Sequence, residues 1–431
     1  MKYKRQEKNN KILEIVECIH GRIFYKDRGW RIKMKRNIFD ILKRRFFQLI
    51  IQVLLFPVYL LSKFVPKKDN LICLGSSRGL YYSDNAKYLY EYMLNNNHGL
   101  EFYWLTKNKG LVQKNKDKKF VYLYSLKGFY LLIRANIVVL THHLDDLFPP
   151  LMGGCKIIQL WHGTPLKKIG YLADGWGERS KLENLIIKFL FKCFPYLEYN
   201  KCDYLITSSP FINDVMAKSF NIPRSNIFPL GQPRNDVFFQ EYEEKSQKNK
   251  KIYSWLPTHR GRTNIKVKDL LLNYGFNLKY FNEFLEKNNA IFVIKPHFTE
   301  LNEVIDLTND FENITIYKEA DPYPLLQITD ILLTDYSSVY FDYLLTKKPI
   351  IFTPFDYSYY IKNIAGFNFN YDEVTPGPKC MNWEEVIKEI IKIEENDPYF
   401  NDREKICEKF NLYLDGRNSE RVVEFIKEVM R

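Results

Sequence analysis

From residue 71 onward, short and nearly continuous apolar runs alternate with longer stretches whose apolar positions recur at helical spacing. The runs fall at 71–74, 102–105, 120–124, 137–140, 157–160 and 204–207. Runs that are apolar on both faces, with enough chain between them for a crossover helix, predict parallel strands covered on both sides of the sheet. Residues 69–240 therefore read as a Rossmann-like unit. The stretch 240–251, QEYEEKSQKNKK, has no apolar period and reads as a linker or an exposed helix end. Strand signals restart at 252–256, 291–294, 314–317, 331–334 and 350–353, which predicts a second α/β unit over 250–431. The tail from 401 is helical in pattern and is placed to cross back to the first unit. No internal repeat and no long low-complexity tract interrupts this plan.

Residues 1–68 differ from the rest: they form a basic, amphipathic lead-in. Within it, 46–65 reads FFQLIIQVLLFPVYLLSKFV, between Arg44 and Arg45 on one side and Lys67 and Lys68 on the other. A membrane span needs about 20 predominantly apolar residues, and Gln48, Gln52, Pro57 and Lys63 break this run. Positive charge on both flanks favours a helix lying in the headgroup layer, ahead of a buried core helix and of a true span. The stretch NLIIKFLFKCFPYL, 184–197, has the same mixture, with Lys188 and Lys192 among Phe189, Phe191 and Phe194. It reads either as a second interfacial helix or as an amphipathic helix packed on the core.

Length and charge narrow the partners. A chain of 431 residues suits two or three domains rather than one core. With 46% apolar and 27% charged residues the composition is globular. The formal net charge of +13 calls for an anionic partner: nucleic acid, an acidic membrane or a phosphate-rich substrate. Nucleic acid is the weakest of these, because the charge is spread along the chain and no RRM, helix-turn-helix or zinc-finger signature occurs. The seven cysteines stand singly, which suits a reducing compartment, and the N-terminus MKYKRQEKNNK leads into no cleavable secretory signal. A cytoplasmic protein is expected.

In open parallel sheets ligands collect beyond the carboxyl ends of the strands, and that rule selects the candidate residues. KIIQLWHGTPLKKIG places His162, Gly163 and Thr164 at a strand-to-helix turn. The imidazole of His162 titrates near neutrality and is a candidate proton acceptor, or else a histidine satisfied inside a turn. Lys167 beside it could meet phosphates or be simply solvated. AIFVIKPHFTE puts Lys295 and His297 at a strand end in the second unit, where Pro296 forces the chain out of the sheet. DILLTDYSSVYFDY places Asp335, Ser337 and Ser338 before a helix, either as an anion seat or as ordinary N-caps. LPTHRGR adds Thr258, His259, Arg260 and Arg262. GQPRND offers Arg234 in a turn that sets the hinge, and DGRNSER offers Arg417 and Ser419, where a helix cap competes with ligand binding. No acidic DxD pair ends a strand and no Walker A loop occurs, so neither a metal nor another cofactor is expected. Neutralising a diphosphate would fall to histidine, arginine, lysine, hydroxyls and helix ends.

The strings WHGTPLKKIG, GQPRND, LPTHR, IKPH, LLTDYSSVYFDYLLTKKPIIF, YDEVTPGP and DGRNSER occur in this order from about His162 to the C-terminus. In this they resemble the CDP-glycerol glycerophosphotransferase family of teichoic acid primases, polymerases and related capsule enzymes. The resemblance implies an α/β, GT-B architecture, two Rossmann-like domains facing each other across a cleft, here with the basic amphipathic N-terminal extension. It implies His162 and His297 as catalytic residues and a donor site of Thr258, Arg260, Lys295, Asp335, Ser337, Ser338, Arg417 and Ser419. Gly163, Thr164, Lys167 and Arg234 would meet the acceptor or phosphates. The implied donor is CDP-glycerol or CDP-ribitol, held mainly by the second domain. The implied acceptor is a lipid-linked saccharide or polyol-phosphate, met by the first domain at the cytoplasmic face of the membrane, with the enzyme peripheral. Phe298 and Gly261 depart from the family pattern, which bears on donor details. A GT-B glycosyltransferase using a nucleotide sugar is the rival enzyme reading.

Overall fold

Continuous apolar runs can satisfy their backbone only inside a sheet whose two faces are both covered, and every predicted run is a strand. The computed structural model describes residues 38–96, 98–173, 181–198, 200–241, 250–260, 265–297, 300–308 and 310–431. In the first unit β1 (Lys68–Gly75), β2 (Glu101–Thr106), β3 (Phe120–Tyr122), β4 (Ala135–Leu140), β5 (Lys156–Gln159), β6 (Tyr204–Ile206) and β7 (Ile227–Phe228) form a seven-stranded sheet, in the order β3-β2-β1-β4-β5-β6-β7. The second unit has β8 (Lys251–Leu256), β9 (Ala290–Ile294), β10 (Ile314–Ile316), β11 (Ile331–Thr334) and β12 (Ile350–Phe352), in the order β10-β9-β8-β11-β12. All pairings within both sheets are parallel. The strand order reverses direction between β1 and β4 and between β8 and β11, so each sheet has the switch point at which doubly wound folds hold ligands. The short β7 was not anticipated; two residues are too few to leave an apolar signature.

The helices that matter here are α1 (Ile38–Phe64), α2 (Asp84–Asn95), α3 (Lys181–Cys193), α4 (Tyr323–Ile328), α5 (Val339–Tyr343) and α6 (Asn418–Met430). Helix α6 returns to the first unit. Its Val422, Val423, Phe425 and Ile426 join the apolar cluster built on Ile72, Leu74 and Ile137 of the first sheet. A different cluster runs across both units, with Trp161, Leu166 and Leu205 from the first and Tyr336, Tyr340 and Phe341 from the second. Apolar burial thus seals the units along one side of the cleft and sets the distance across it.

Residues 1–37 of the basic lead-in lie outside the described residues. The segment 46–65 belongs to α1, which runs through Pro57 without a break. One edge of α1 docks on the first unit: Tyr59 and Ser62 are buried, and the Ser62 hydroxyl accepts the Gly153 amide at 2.9 Å. The other edge is open, with Leu54 69% exposed, Leu61 66% and Phe64 82%. Among the described residues no helix is long and apolar enough to cross a membrane. Helix α3 shows the same division. Its Leu185, Ile186 and Phe189 are exposed, while Phe194 just beyond it meets Phe56 of α1 edge-on at 4.8 Å.

Candidate active site

At the carboxyl end of β5 the chain turns sharply, and Trp161 takes a left-handed φ of 58°. For a bulky residue this conformation costs about 1–3 kcal/mol, so something must hold it. The Trp161 amide donates to Gln159 Oε1 at 2.9 Å, its carbonyl accepts from Asn85 Nδ2 at 2.7 Å, and its ring packs edge-on against Phe220. The consequence is a fixed aim for His162. That imidazole lies parallel to His142, centroids 4.4 Å apart and planes 12° apart, and its Nδ1 has no hydrogen-bond partner among the described residues. Burial, then His142, His143 and Arg234, holds His162 well below the ordinary histidine range. The imidazole is therefore neutral at pH 7.

Opposite this turn stands the loop after β11. Asp335 is buried and anchors it, its Oδ1 accepting the amides of Thr258 (2.8 Å) and Tyr336 (2.5 Å). Its Oδ2 meets Arg260 Nη1 at 2.5 Å. The same guanidinium donates from Nε and Nη2 to Asp356 at 3.1 and 2.8 Å. Arg260 is therefore committed to two carboxylates. Thr258 Oγ1 is buried with no partner among the described residues. Ser337 Oγ only weakly accepts the Val339 amide, at 3.5 Å, and the Ser338 side chain does not cap α5. An ordinary N-cap therefore does not account for Ser338.

The two loops meet. A Cβ on Gly163 would come within 2.5 Å of Ser338 Oγ, so only glycine lets the backbone beside His162 approach the serine this closely. Four residues on, the strand-like segment Leu166 to Lys168 pairs antiparallel with 366–368. The Lys168 amide donates to the Gly366 carbonyl at 2.9 Å, and the Asn368 amide to the Leu166 carbonyl at 2.8 Å. This carries Lys167 out of the first unit toward Asp335 and Arg260. Burial pushes its ammonium down to about 8, with Asp335 raising and Arg260 lowering it. Thr164 is buried in the same turn.

His297 follows β9 and stacks on His259, centroids 3.9 Å apart, while His259 Nδ1 meets Glu300 Oε2 at 3.1 Å. Burial and the neighbouring His259 depress His297 to about 4. Lys295 donates to the Glu319 carbonyl at 2.8 Å. The departures at Gly261 and Phe298, and Arg262, lie outside the described residues.

Of the other expected site residues, Arg417 and Ser419 sit apart from this group, and Arg234, close enough to act on His162, is already paired. Arg234 is buried between the units, with Nη1 on Asp84 at 2.7 Å and Nη2 on Asp342 of α5 at 2.8 Å. It bolts one unit to the other. Arg417 is 66% exposed and faces Glu420 on its own helix. The amides of Asn418 and Ser419 both donate to Asp236 at 2.8 Å, so Asp236 caps α6 from the first unit. Gly231, with φ +88°, clears the space that Asn418 fills. His142, His143 and Asn85 were not anticipated, although the sequence THHLDD directly follows a predicted strand, where the carboxyl-end rule would have selected it.

The chain matches the family model described as CDP-glycerol:poly(glycerophosphate) glycerophosphotransferase over residues 58–428. The match takes in nearly all of the first unit, well before the motifs that begin at His162. Among curated relatives, a teichoic acid glycerol-phosphate transferase of Staphylococcus aureus is 28% identical over 85% of this chain and 95% of its own length. A teichoic acid poly(glycerol phosphate) polymerase of Bacillus spizizenii is 28% identical over 85% of this chain and 94% of its own length. The solved structure of the wall teichoic acid polymerase TagF superposes with a TM-score of 0.70 at 24% identity, covering 92% of this chain and 99% of that one, which establishes the GT-B-type fold.

Proposed function

The chain belongs to the CDP-glycerol:poly(glycerophosphate) glycerophosphotransferase family, and we propose that it performs this transfer at a membrane surface. An alditol-phosphate unit, from CDP-glycerol or CDP-ribitol, passes to a hydroxyl of a lipid-linked saccharide or polyol-phosphate, and CMP departs. The second unit holds the donor and the first presents the acceptor. The observation that carries this reading is the approach of Gly163 to Ser338, which brings the residue next to a neutral, half-buried imidazole up to a serine whose hydroxyl caps nothing.

An acceptor hydroxyl is a poor nucleophile. His162 takes its proton as the oxygen bonds to the β-phosphorus; the bond from that phosphorus to the bridging oxygen breaks, and its electron pair leaves with CMP. Lys167, Ser337, Ser338 and Thr258 meet the non-bridging oxygens. Burial and His259 hold His297 neutral, and a bound diphosphate would reverse the local field and favour its charged, donating form. Arg260 acts through Asp335 and Thr258, which it holds in place, and Lys295 lends positive potential from the end of β9. Arg234 fixes the spacing of the units, and the Ser419 amide on Asp236 ties α6 to the first unit, with Arg417 exposed beside it. The decisive assay supplies CDP-glycerol or CDP-ribitol with a lipid-disaccharide acceptor and follows CMP release and product length. Release of UDP from a UDP-sugar, with no CMP from either CDP-alditol, would overturn the reading in favour of a glycosyltransferase.

Lys167 sets an alkaline limit. Its ammonium, at about 8, is charged below that pH and neutral above it, so kcat/KM should fall as pH rises through about 8. Arginine stays charged there, so Lys167→Arg should flatten this limb, and an unchanged limb would remove Lys167 from the phosphate contacts.

The open apolar edges of α1 and α3, together with the net charge of +13, suit the headgroup layer of an anionic bilayer on the cytoplasmic side. A Leu54→Asp, Leu61→Asp, Phe64→Asp variant should co-sediment with phosphatidylglycerol vesicles at least about tenfold more weakly than the parent, since burying each such side chain is worth roughly 1.5–3 kcal/mol. Its turnover of a short-chain soluble acceptor should be unchanged. Equal vesicle binding by both proteins would refute this docking face.

A further inference from the structure

The residue whose ring lies against His162 is itself held at three points, one on the ring and two on its backbone. Nδ1 of His142 accepts the Ser77 amide at 3.2 Å, the His142 amide donates to Asp146 Oδ2 at 2.7 Å, and its carbonyl accepts Gln159 Nε2 at 3.1 Å. An amide donating to Nδ1 settles the neutral tautomer, with the proton on Nε2. Ser77 and Arg78 reach this arrangement in left-handed conformations, φ 51° and 58°, which non-glycine residues adopt only when their surroundings enforce it. Asp146 does so here: its Oδ1 accepts the Arg78 amide at 2.7 Å while its Oδ2 also takes the Thr141 amide at 3.0 Å. The loops after β1 and β4 are therefore clasped around His142.

We propose that His142 is a positioning residue for the transfer, the fixed wall that holds the His162 imidazole in the orientation that meets the acceptor hydroxyl. The proposal rests on the reading of His162 as the base. The parallel contact with His142 at 4.4 Å, with the tilted Trp161 ring 4.0 Å away, confines the ring, and an imidazole misdirected by a fraction of an ångström is a poor proton acceptor. His142 also bears on the charge of His162. The groups facing His162 are His142 and His143 from the loop after β4 and Arg234 from the turn before the linker. Asp145, Asp146 and Arg78 surround the two loop histidines. From the second unit the uncharged Ser338 comes up against Gly163, the residue next to His162. After burial, His142 is the largest of the influences that keep His162 unprotonated.

Phenylalanine at 142 would keep a flat wall and remove the chargeable neighbour; alanine would remove both. The test compares pH profiles of the CMP-releasing reaction for the parent, His142→Phe, His142→Ala and His162→Ala, with CDP-glycerol as donor. His142→Ala is expected to lose about 10–100-fold in kcat with little change in the KM for CDP-glycerol, as befits lost orientation rather than lost binding. His142→Phe should recover most of that loss at pH 8, with its acid limb, which reports His162, moved to higher pH. A folded His142→Ala with kcat within about twofold of the parent and the same acid limb would overturn the proposal. If the alanine variant does not fold, an unshifted limb in His142→Phe overturns it equally. Turnover by His162→Ala would instead overturn the base assignment, whereas an inactive His162→Ala beside parent-like His142 variants would defeat this inference alone.

Discussion

Replacing His162 by alanine is expected to lower kcat/KM for alditol-phosphate transfer by about 10²–10⁴-fold, the range for removing a positioned general base. The KM for CDP-glycerol should move little, because in the proposed arrangement His162 belongs to the first unit and the second unit holds the donor. His297→Ala should differ in kind, with a loss near 10² shared between kcat and donor KM, as expected of a group that meets a charge already present in the ground state. Thermal unfolding of both variants should stay close to the parent: neither residue is fully buried, and His259, on which His297 stacks, has its side chain 37% exposed. Near-normal turnover by a folded His162→Ala protein would sink the mechanism.

The second large effect is on stability. Arg260→Leu leaves Asp335 and Asp356 buried with no cation between them, and stranding buried charge in this way costs about 3–5 kcal/mol. Urea unfolding followed by the fluorescence of Trp255 and Trp383, both buried in the second unit, should show the midpoint falling accordingly. Adding Asp335→Asn and Asp356→Asn to Arg260→Leu should restore part of the loss, because the stranded charge is then gone. A single variant as stable as the parent would mean that the arginine is not the keystone its geometry implies.

Arg260 also shows what a sequence can and cannot disclose. In LPTHRGR it reads as a cation available to phosphate, yet its partners lie 75 and 96 residues away. Arg234 is the same case, with partners 150 and 108 residues distant. Whether a charge is free or spent is decided by tertiary pairing, on which local sequence is silent. Strands were legible because a doubly covered parallel strand must be apolar throughout, and their carboxyl ends located His162, His297 and Asp335. His142 was legible by the same rule and passed over, for it lies outside the motifs that carry the family resemblance. Ser338 needed the fold: only the neighbouring Gly163 shows that its hydroxyl faces the opposite unit. For α1 the sequence left three readings open; among the described residues no helix is long and apolar enough to span a membrane, one edge of α1 docks as a core helix would, and the exposed edge is what the interfacial proposal rests on.

The route of the chain between its two halves has a consequence for how such enzymes can be altered. Phe239, where the chain leaves the first unit, sits against Gly416, where it comes back, the glycine's would-be Cβ 2.6 Å from the phenylalanine Cβ. Topologically, the second unit is a cassette spliced into the first, its entry and exit side by side. A cassette from a relative with another alditol preference could be grafted at these two seams without cutting either sheet, and the Asp236 clasp on Asn418 and Ser419 would serve as its lock.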